Sequence, residues 1–154
     1  MPPRPDRAFA GAPRPLALTP VGRIRLHARA LAYVVAARVL LRRHDTTATL
    51  RRLVRSASPR GARDSGQAMT AVQRAGRIAH ASCLPQSVAL VALLARQGTE
   101  PRLVLGCRRY DDQEWGAHAW VEIDGLVLDV VPSGTHQELA VLDRVRNWEP
   151  AQRA

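Results

Sequence analysis

The sequence contains no lysine, only two cysteines and no long apolar run among its 154 residues. No apolar stretch approaches the roughly 18 to 20 residues of a membrane-spanning helix, and the proline-rich start lacks the apolar segment of a secretion signal. We therefore expect a cytoplasmic protein without a membrane span. In that compartment two cysteines do not form a disulfide framework, so each is either a core thiol or a reactive one.

Negative charge is scarce in the first half of the chain. All 23 basic residues are arginine, and residues 1–81 contain 16 of them against 3 acidic residues, whereas residues 82–154 contain 7 against 10. Such an asymmetry favours a basic surface for an anionic partner. The alternative explanation for these arginines is coding bias, because a GC-rich genome produces sequences that are rich in alanine and arginine and free of lysine. Aromatic residues make up only 4% of the chain, so base stacking is poorly supported and we expect no nucleic-acid partner.

The chain divides into a short tail and one domain. Proline and arginine dominate residues 1–20, which predicts a flexible tail, and residues 21–154 are predicted to form a single domain with a helical part at 21–81 and a catalytic core at 82–135. Helical periodicity predicts helices at 23–43, 46–54, 65–80 and 83–97. In the first helix, the apolar residues expected to share one side are Ile24, Leu31, Val34, Val35, Leu40 and Leu41.

The second half changes to a period of two residues. Alternation predicts strands at 103–107, 117–123 and 126–131, and Asp124-Gly125 is a strong signal for a hairpin turn. A final short helix is expected at 139–145. The fold class is therefore α+β, with a helical N-terminal layer and a cysteine-bearing helix packed on a small antiparallel sheet.

The hairpin brings polar residues to one face of the sheet. If Asp124 and Gly125 are the two loop residues, alternation places His118, Trp120 and Asp129 on the same face. Asp129 is then the diagonal neighbour of His118, close enough for a carboxylate to reach an imidazole nitrogen. Asp124 is the alternative acid, but it belongs to the turn.

A cysteine begins the most apolar helix, which is apolar nearly all round and is therefore expected to be buried. Cys83 follows Ser82, a plausible cap, and Pro85 is tolerated in the first turn. Unpaired N–H groups at a helix start stabilise a thiolate and can donate to a developing oxyanion. Cys83, His118 and Asp129 thus form a Cys-His-Asp arrangement of the kind used in nucleophilic catalysis.

These segments resemble a known family. SCLPQSVAL (82–90), LLARQG (93–98), LVLG (103–106) and AHAWVEIDG (117–125) are similar to the leader peptidase of lasso-peptide biosynthesis, the microcin-processing protein C-terminal domain. The resemblance spans roughly residues 22–135 and is specific over 82–129. It implies a transglutaminase-like, papain-like cysteine peptidase core without a cofactor, in which Cys83 is the nucleophile, His118 its base and Asp129 the orienting group.

The resemblance also implies partners. Some members fuse this domain to a small winged-helix-like module that recognises the leader, but residues 1–81 show helical periodicity and no strand run. The chain therefore resembles the split form. Its implied substrate is a lasso precursor peptide, and its implied partners are a separate leader-recognition protein of winged-helix type and a lasso cyclase that uses ATP.

Several residues have a structural explanation as well as a functional one. Gln86 and Trp120 are candidates for the substrate cleft, although Gln86 is equally well explained as a polar surface position. Glu122 is expected to be solvated or paired with an arginine, and Cys107 to be a core residue. A zinc site from His80, Cys83, Cys107 and His118 lacks paired ligand spacing, so we expect no metal.

Two other functions remain open. The same fold supports an acyltransferase or amidase that uses an amine instead of water as acceptor. A non-catalytic basic adaptor would instead use the arginines that precede Cys83 as its active surface.

Overall fold

The computed structural model describes residues 18–55, 65–109, 115–124, 126–128 and 135–142. Its helices and strands, in chain order, are α1 (Pro20–Leu40), α2 (Thr46–Arg55), α3 (Ser65–Ile78), α4 (Cys83–Ala95), β1 (Arg102–Arg109), β2 (Trp115–Ile123), β3 (Leu126–Leu128) and β4 (Thr135–Leu142). The α+β class is confirmed, with the helices first and the antiparallel sheet second. Most of the expected tail lies outside the described residues, so the division into tail and domain stays a prediction.

The four helices lie within three residues of their predicted bounds because the local start and stop signals are strong. The Thr19 hydroxyl accepts a hydrogen bond of 3.1 Å from the Gly22 N–H at the start of α1. The Asp45 carboxylate accepts one of 2.7 Å from the Ala48 N–H at the start of α2. After α4, Gly98 adopts a φ of 80°, the left-handed conformation in which glycine commonly ends a helix.

The predicted apolar side of α1 differs from the buried side at two positions. Ile24 and Val35 are 70% and 45% exposed. The fully buried residues of α1 are Leu26, Ala30, Val34 and Ala37, of which only Val34 belongs to the predicted six. Because Ala30 and Ala37 have small side chains, α1 can lie close to α3 and α4, against which it packs. A hydropathy pattern gives large aliphatic residues more weight than alanine, and that weighting placed Ile24 and Val35 on the same side as Val34.

Helix α4 occupies the centre of the molecule. Nine of its 13 residues are buried, and it contacts all three other helices as well as β1 and β2. This confirms the expectation, from a sequence that is apolar nearly all round, of a buried helix. The burial of α4 is what joins the helical layer to the sheet.

The sheet is antiparallel, in the order β3-β2-β1-β4. Ile123 pairs with Leu126, and Val121 pairs with Leu128. Asp124, the first loop residue, has a φ of 50°, which the favoured two-residue hairpin turns require. The predicted hairpin register is therefore confirmed.

The final helix expected at 139–145 is wrong over its described part. Residues 135–142 form β4, which pairs with β1 through a register that shifts between Leu105 and Gly106. Local propensity for a helix is worth only tenths of a kcal/mol per residue, about 0.7 at most for ordinary residues. Pairing with the open edge of β1 satisfies a whole row of backbone groups, and this outweighs the local preference.

Within the part of the chain that the structure describes, no helix is both long enough and apolar enough to cross a membrane.

The two faces of α1 make a direct prediction about stability. Ala30→Leu adds three carbon atoms to a fully buried position and should lower the free energy of unfolding by about 1–3 kcal/mol, the usual cost of overpacking. Ala32→Leu, on the exposed side of the same helix, is the matched control and should change it by less than about 0.5 kcal/mol. Urea unfolding measures both, and a larger loss in Ala32→Leu would contradict the observed face.

Candidate active site

Cys83 is the first residue of α4, and its half-buried side chain packs against the core. The preceding Ser82 is the N-cap residue in an extended conformation, but its side chain accepts no hydrogen bond from the helix. The predicted capping bond is therefore absent at Ser82. Pro85 has no N–H group, so Cys83 and Leu84 carry the N–H groups of the first turn. The Ser82 side chain leaves both available to another acceptor.

The backbone connection that leads to Cys83 has a defined geometry. His80 adopts a left-handed φ of 46° at the end of α3. The Ala81 N–H donates to the Gly76 carbonyl at 2.9 Å, and the His80 N–H donates to the Arg77 carbonyl at 3.3 Å. This pair of bonds is the Schellman motif. The motif turns the chain sharply between α3 and α4, which sets the direction from which the chain enters Cys83.

Two side chains reinforce this connection. The Arg38 guanidinium of α1 donates to the Ala79 carbonyl, and the Gln86 amide donates to the Ala81 carbonyl at 2.7 Å. The Gln86 amide also lies against Gly76, where a Cβ atom would stand 2.2 Å from the Gln86 Cδ. Gln86 thus stabilises the α3–α4 connection, and its part in a substrate cleft stays a prediction.

Ser87 attaches α4 to β2. Its side chain is completely buried, and its hydroxyl donates to the Ala119 carbonyl at 2.8 Å. Ser87 lies one helical turn after Cys83, and Ala119 directly follows His118 in the chain. The bond therefore joins the first two turns of α4 to the part of β2 that contains His118. Ser87 is not among the residues predicted from the sequence, although a lone serine in an apolar helix signals a buried hydroxyl that needs a partner.

His118 and Trp120 lie side by side on β2. They are 4% and 3% exposed, and their rings stack with centroids 6.0 Å apart and planes inclined by 22°. The prediction that they share a face is confirmed. Ala119, which alternates with them, belongs to the core beneath the helices. The cross-strand partner of His118 is Gly106, which contributes no side chain.

Glu122 lies on the same face of β2 as His118 and Trp120, and we refer to these three residues as the polar row. The Trp120 Nε1–H donates to Glu122 Oε1 at 3.1 Å. Glu122 Oε2 lies 3.5 Å from Nη1 of Arg102, its cross-strand partner on β1. The expected pairing of Glu122 with an arginine is confirmed. One carboxylate thus fixes the indole that stacks on His118 and is itself held by a guanidinium.

A family match follows the same elements. The model described as the transglutaminase-like superfamily matches residues 28–144, which include most of the chain and both Cys83 and His118. The chain belongs to the transglutaminase-like superfamily. No curated protein matches the chain, and no solved structure matches it. Membership supports a fold of the cysteine peptidase or acyltransferase type, in a superfamily whose members are generally catalytic.

Of the remaining candidate residues of this transglutaminase-like domain, one lies outside the described residues and two lie within them. Asp129 follows β3 directly and lies outside the described residues, so its role stays a prediction, although the hairpin register on which it depends is confirmed. Asp124 is an exposed turn residue, and Cys107 is half-buried on β1. Among the described residues, no three His, Cys, Asp or Glu side chains are grouped so that they could hold a metal ion.

The Ser87 bond predicts a stability cost. Ser87→Ala removes the donor and leaves the Ala119 carbonyl without it, so the free energy of unfolding should fall by about 1–3 kcal/mol. Ser82→Ala is the control, because the Ser82 side chain makes no capping bond and its loss should cost less than about 0.5 kcal/mol. Equal losses in urea unfolding would refute the assignment of Ser87 as the link between α4 and β2.

Proposed function

We propose that this protein is a cysteine peptidase that removes the leader from a ribosomally synthesised lasso-peptide precursor. The main support is one observation within the region of the superfamily match. Cys83 begins a buried helix, and Ser87 of the same helix forms a hydrogen bond to the strand that contains His118. Nucleophile and base candidates thus come from two elements that are joined directly. The specific substrate follows from the resemblance of the Cys83 and His118 segments to leader peptidases.

The first half of the reaction forms an acyl-enzyme. The Cys83 thiolate attacks the carbonyl carbon at the leader–core junction, and the carbonyl oxygen becomes an oxyanion. The protonated imidazole of His118 then transfers its proton to the departing amine. The C–N bond breaks, the core leaves with a free N-terminal amine, and the leader remains as a thioester on Cys83.

The second half releases the leader. The neutral His118 takes a proton from water, the hydroxide attacks the thioester carbon, and the C–S bond breaks to give a carboxylic acid and the Cys83 thiolate. Asp129 is the proposed orienting acid, which fixes the imidazole tautomer and supports its cation. No cofactor takes part in either half.

The oxyanion site is proposed at the start of α4. The N–H groups of Cys83 and Leu84 are not occupied by the Ser82 side chain. They lie at the positive end of the helix dipole, where donors stabilise developing negative charge.

The proposed partners complete the reaction. The precursor peptide is the substrate, a separate winged-helix leader-recognition protein presents it, and a lasso cyclase consumes the core amine. An amine acceptor in place of water would make the same acyl-enzyme a transferase or amidase. Product masses with and without added amine distinguish these two outcomes.

The catalytic assignment predicts two losses of activity. Cys83→Ala should abolish cleavage of a cognate precursor, and His118→Ala should lower kcat by about 10²–10⁴-fold because the general acid–base is lost. Mass spectrometry of the leader and core products measures both, with and without the recognition protein.

Cys107→Ser is the matched control, since it removes the other thiol on an element that the proposal does not use. It should retain wild-type cleavage. A Cys83→Ala variant that still cleaves would refute Cys83 as the nucleophile, and one that does not cleave but still supports maturation as a bound subunit would point to the basic adaptor.

The polar row predicts a positioning role for Glu122. Glu122→Ala removes the acceptor of the Trp120 N–H, so the indole beneath His118 can shift; a displacement of about 1 Å can cost about 100-fold in rate. Glu122→Gln retains an amide oxygen at the same place and should recover most of kcat. If Glu122 had only a structural role, both variants would be less stable, and their kcat values would not differ from each other at unchanged KM.

A further inference from the structure

The outward face of α1 is continuously apolar. Its members follow one another at intervals of three or four residues and are all exposed: Val21, Ile24, Ala28, Ala32, Val35 and Val39. The four large side chains, at positions 21, 24, 35 and 39, are 56%, 70%, 45% and 48% exposed. We refer to these six residues as the α1 stripe.

The α1 stripe is not an extension of the core. With 100° per residue, its residues cluster on one side of the helix, and the buried residues, including Ala30 and Val34, cluster on the opposite side. A solvated helix face normally consists of polar residues. Here, a line of aliphatic side chains runs along nearly all of the 21-residue helix. Contiguous exposed apolar surface of this kind marks an interaction site.

Charge on α1 has only one sign. The helix contains no acidic residue, and the next acid along the chain is Asp45, which caps α2. At 100° per residue, Arg25 and Arg29 flank the α1 stripe on one side and Arg38 flanks it on the other. Coding bias in a GC-rich genome would account for arginine in place of lysine. It does not explain why polar residues are missing from the stripe and present beside it.

We propose that the α1 stripe is a docking surface for a second protein, which presents an apolar face bordered by carboxylates. Apolar contact along the stripe would supply most of the binding free energy, and the flanking arginines would select an acidic partner over a basic or neutral one.

Charge complementarity argues against two other occupants of the stripe, a second copy of the chain and the ends of the chain itself. A symmetric dimer through the stripe would bring arginines against arginines, because both copies contribute the same acid-free helix. The chain's own ends fit no better. Residues 1–17 contain three arginines and one acid, and residues 143–154 contain three arginines and two acids. Both segments are net positive.

The position of the stripe connects it to the candidate active site. Arg38 at its border donates to the Ala79 carbonyl, four residues before Cys83. Ile78, which precedes Ala79, is 69% exposed. A partner bound along the C-terminal half of α1 would lie beside the connection into Cys83. That this partner is the leader-recognition protein rests on the proposed function; the docking surface itself does not.

A synthetic probe tests the surface on the full chain without a precursor. The probe is a fluorescent 21-residue helical peptide with leucine at intervals of three and four residues and glutamate on both flanks. A second peptide carries lysine at the same flanks. We expect the glutamate peptide to bind and the lysine peptide to bind at least about tenfold more weakly, since like charges would face each other.

Matched variants locate the binding. Ile24→Asp combined with Val35→Asp should weaken the glutamate peptide by at least about tenfold, and circular dichroism should show an unchanged fold because both positions are exposed. Arg25→Glu should weaken binding more than Arg52→Glu, which makes the same charge change at an exposed position on α2. Cys83→Ala should bind normally, so failure of catalysis and failure of docking are separate results.

Four outcomes would overturn the proposal. The first is absence of binding to the glutamate peptide, and the second is an equal loss of affinity for that peptide in Arg25→Glu and Arg52→Glu. The third is binding to vesicles of equal parts phosphatidylcholine and phosphatidylglycerol that the double aspartate variant abolishes. The fourth is a concentration-dependent dimer in sedimentation velocity that the same variant abolishes. The third would assign the stripe to a membrane, and the fourth to a second copy of the chain.

Discussion

The burial of α4 is the constraint on which the rest of the structure depends. Removing its apolar side chains from water is the dominant driving force for placing this helix between the other helices and the sheet. Its one buried hydroxyl, on Ser87, cannot be left without a partner in such surroundings, and it meets that need on β2. The same packing that stabilises the fold therefore also sets Cys83, the first residue of α4, in relation to the strand of His118.

Around this helix, the candidate site is supported from two directions. On the helical side, the Schellman motif and the side chains of Arg38 and Gln86 hold the connection into Cys83. On the sheet side, Glu122 holds Trp120 against His118. Reactive groups need neighbours that limit their motion, because catalysis depends on geometry held to within fractions of an ångström.

Helix α1 shows how one amphipathic pattern can be read in two ways. Two of its alanines, Ala30 and Ala37, face the core, whereas the valine and isoleucine residues at positions 21, 24, 35 and 39 face outward. Close packing between helices favours small side chains, whereas exposed valine and isoleucine reduce solubility unless another surface covers them. An outward apolar line whose charged neighbours are all arginines is therefore better explained by a partner than by the folding of this chain alone.

The sequence by itself determined the helix bounds, the turn at Asp124, the burial of α4 and the shared face of His118 and Trp120. These features follow from local signals and from the periodicity of helices and strands, which act over a few residues. Only the tertiary structure decided that residues 135–142 pair with β1, that Ala30 instead of Ile24 faces the core, and that Ser87 reaches Ala119. Each of these depends on a neighbour distant in the chain, whose distance of approach and free hydrogen-bonding groups no local pattern records.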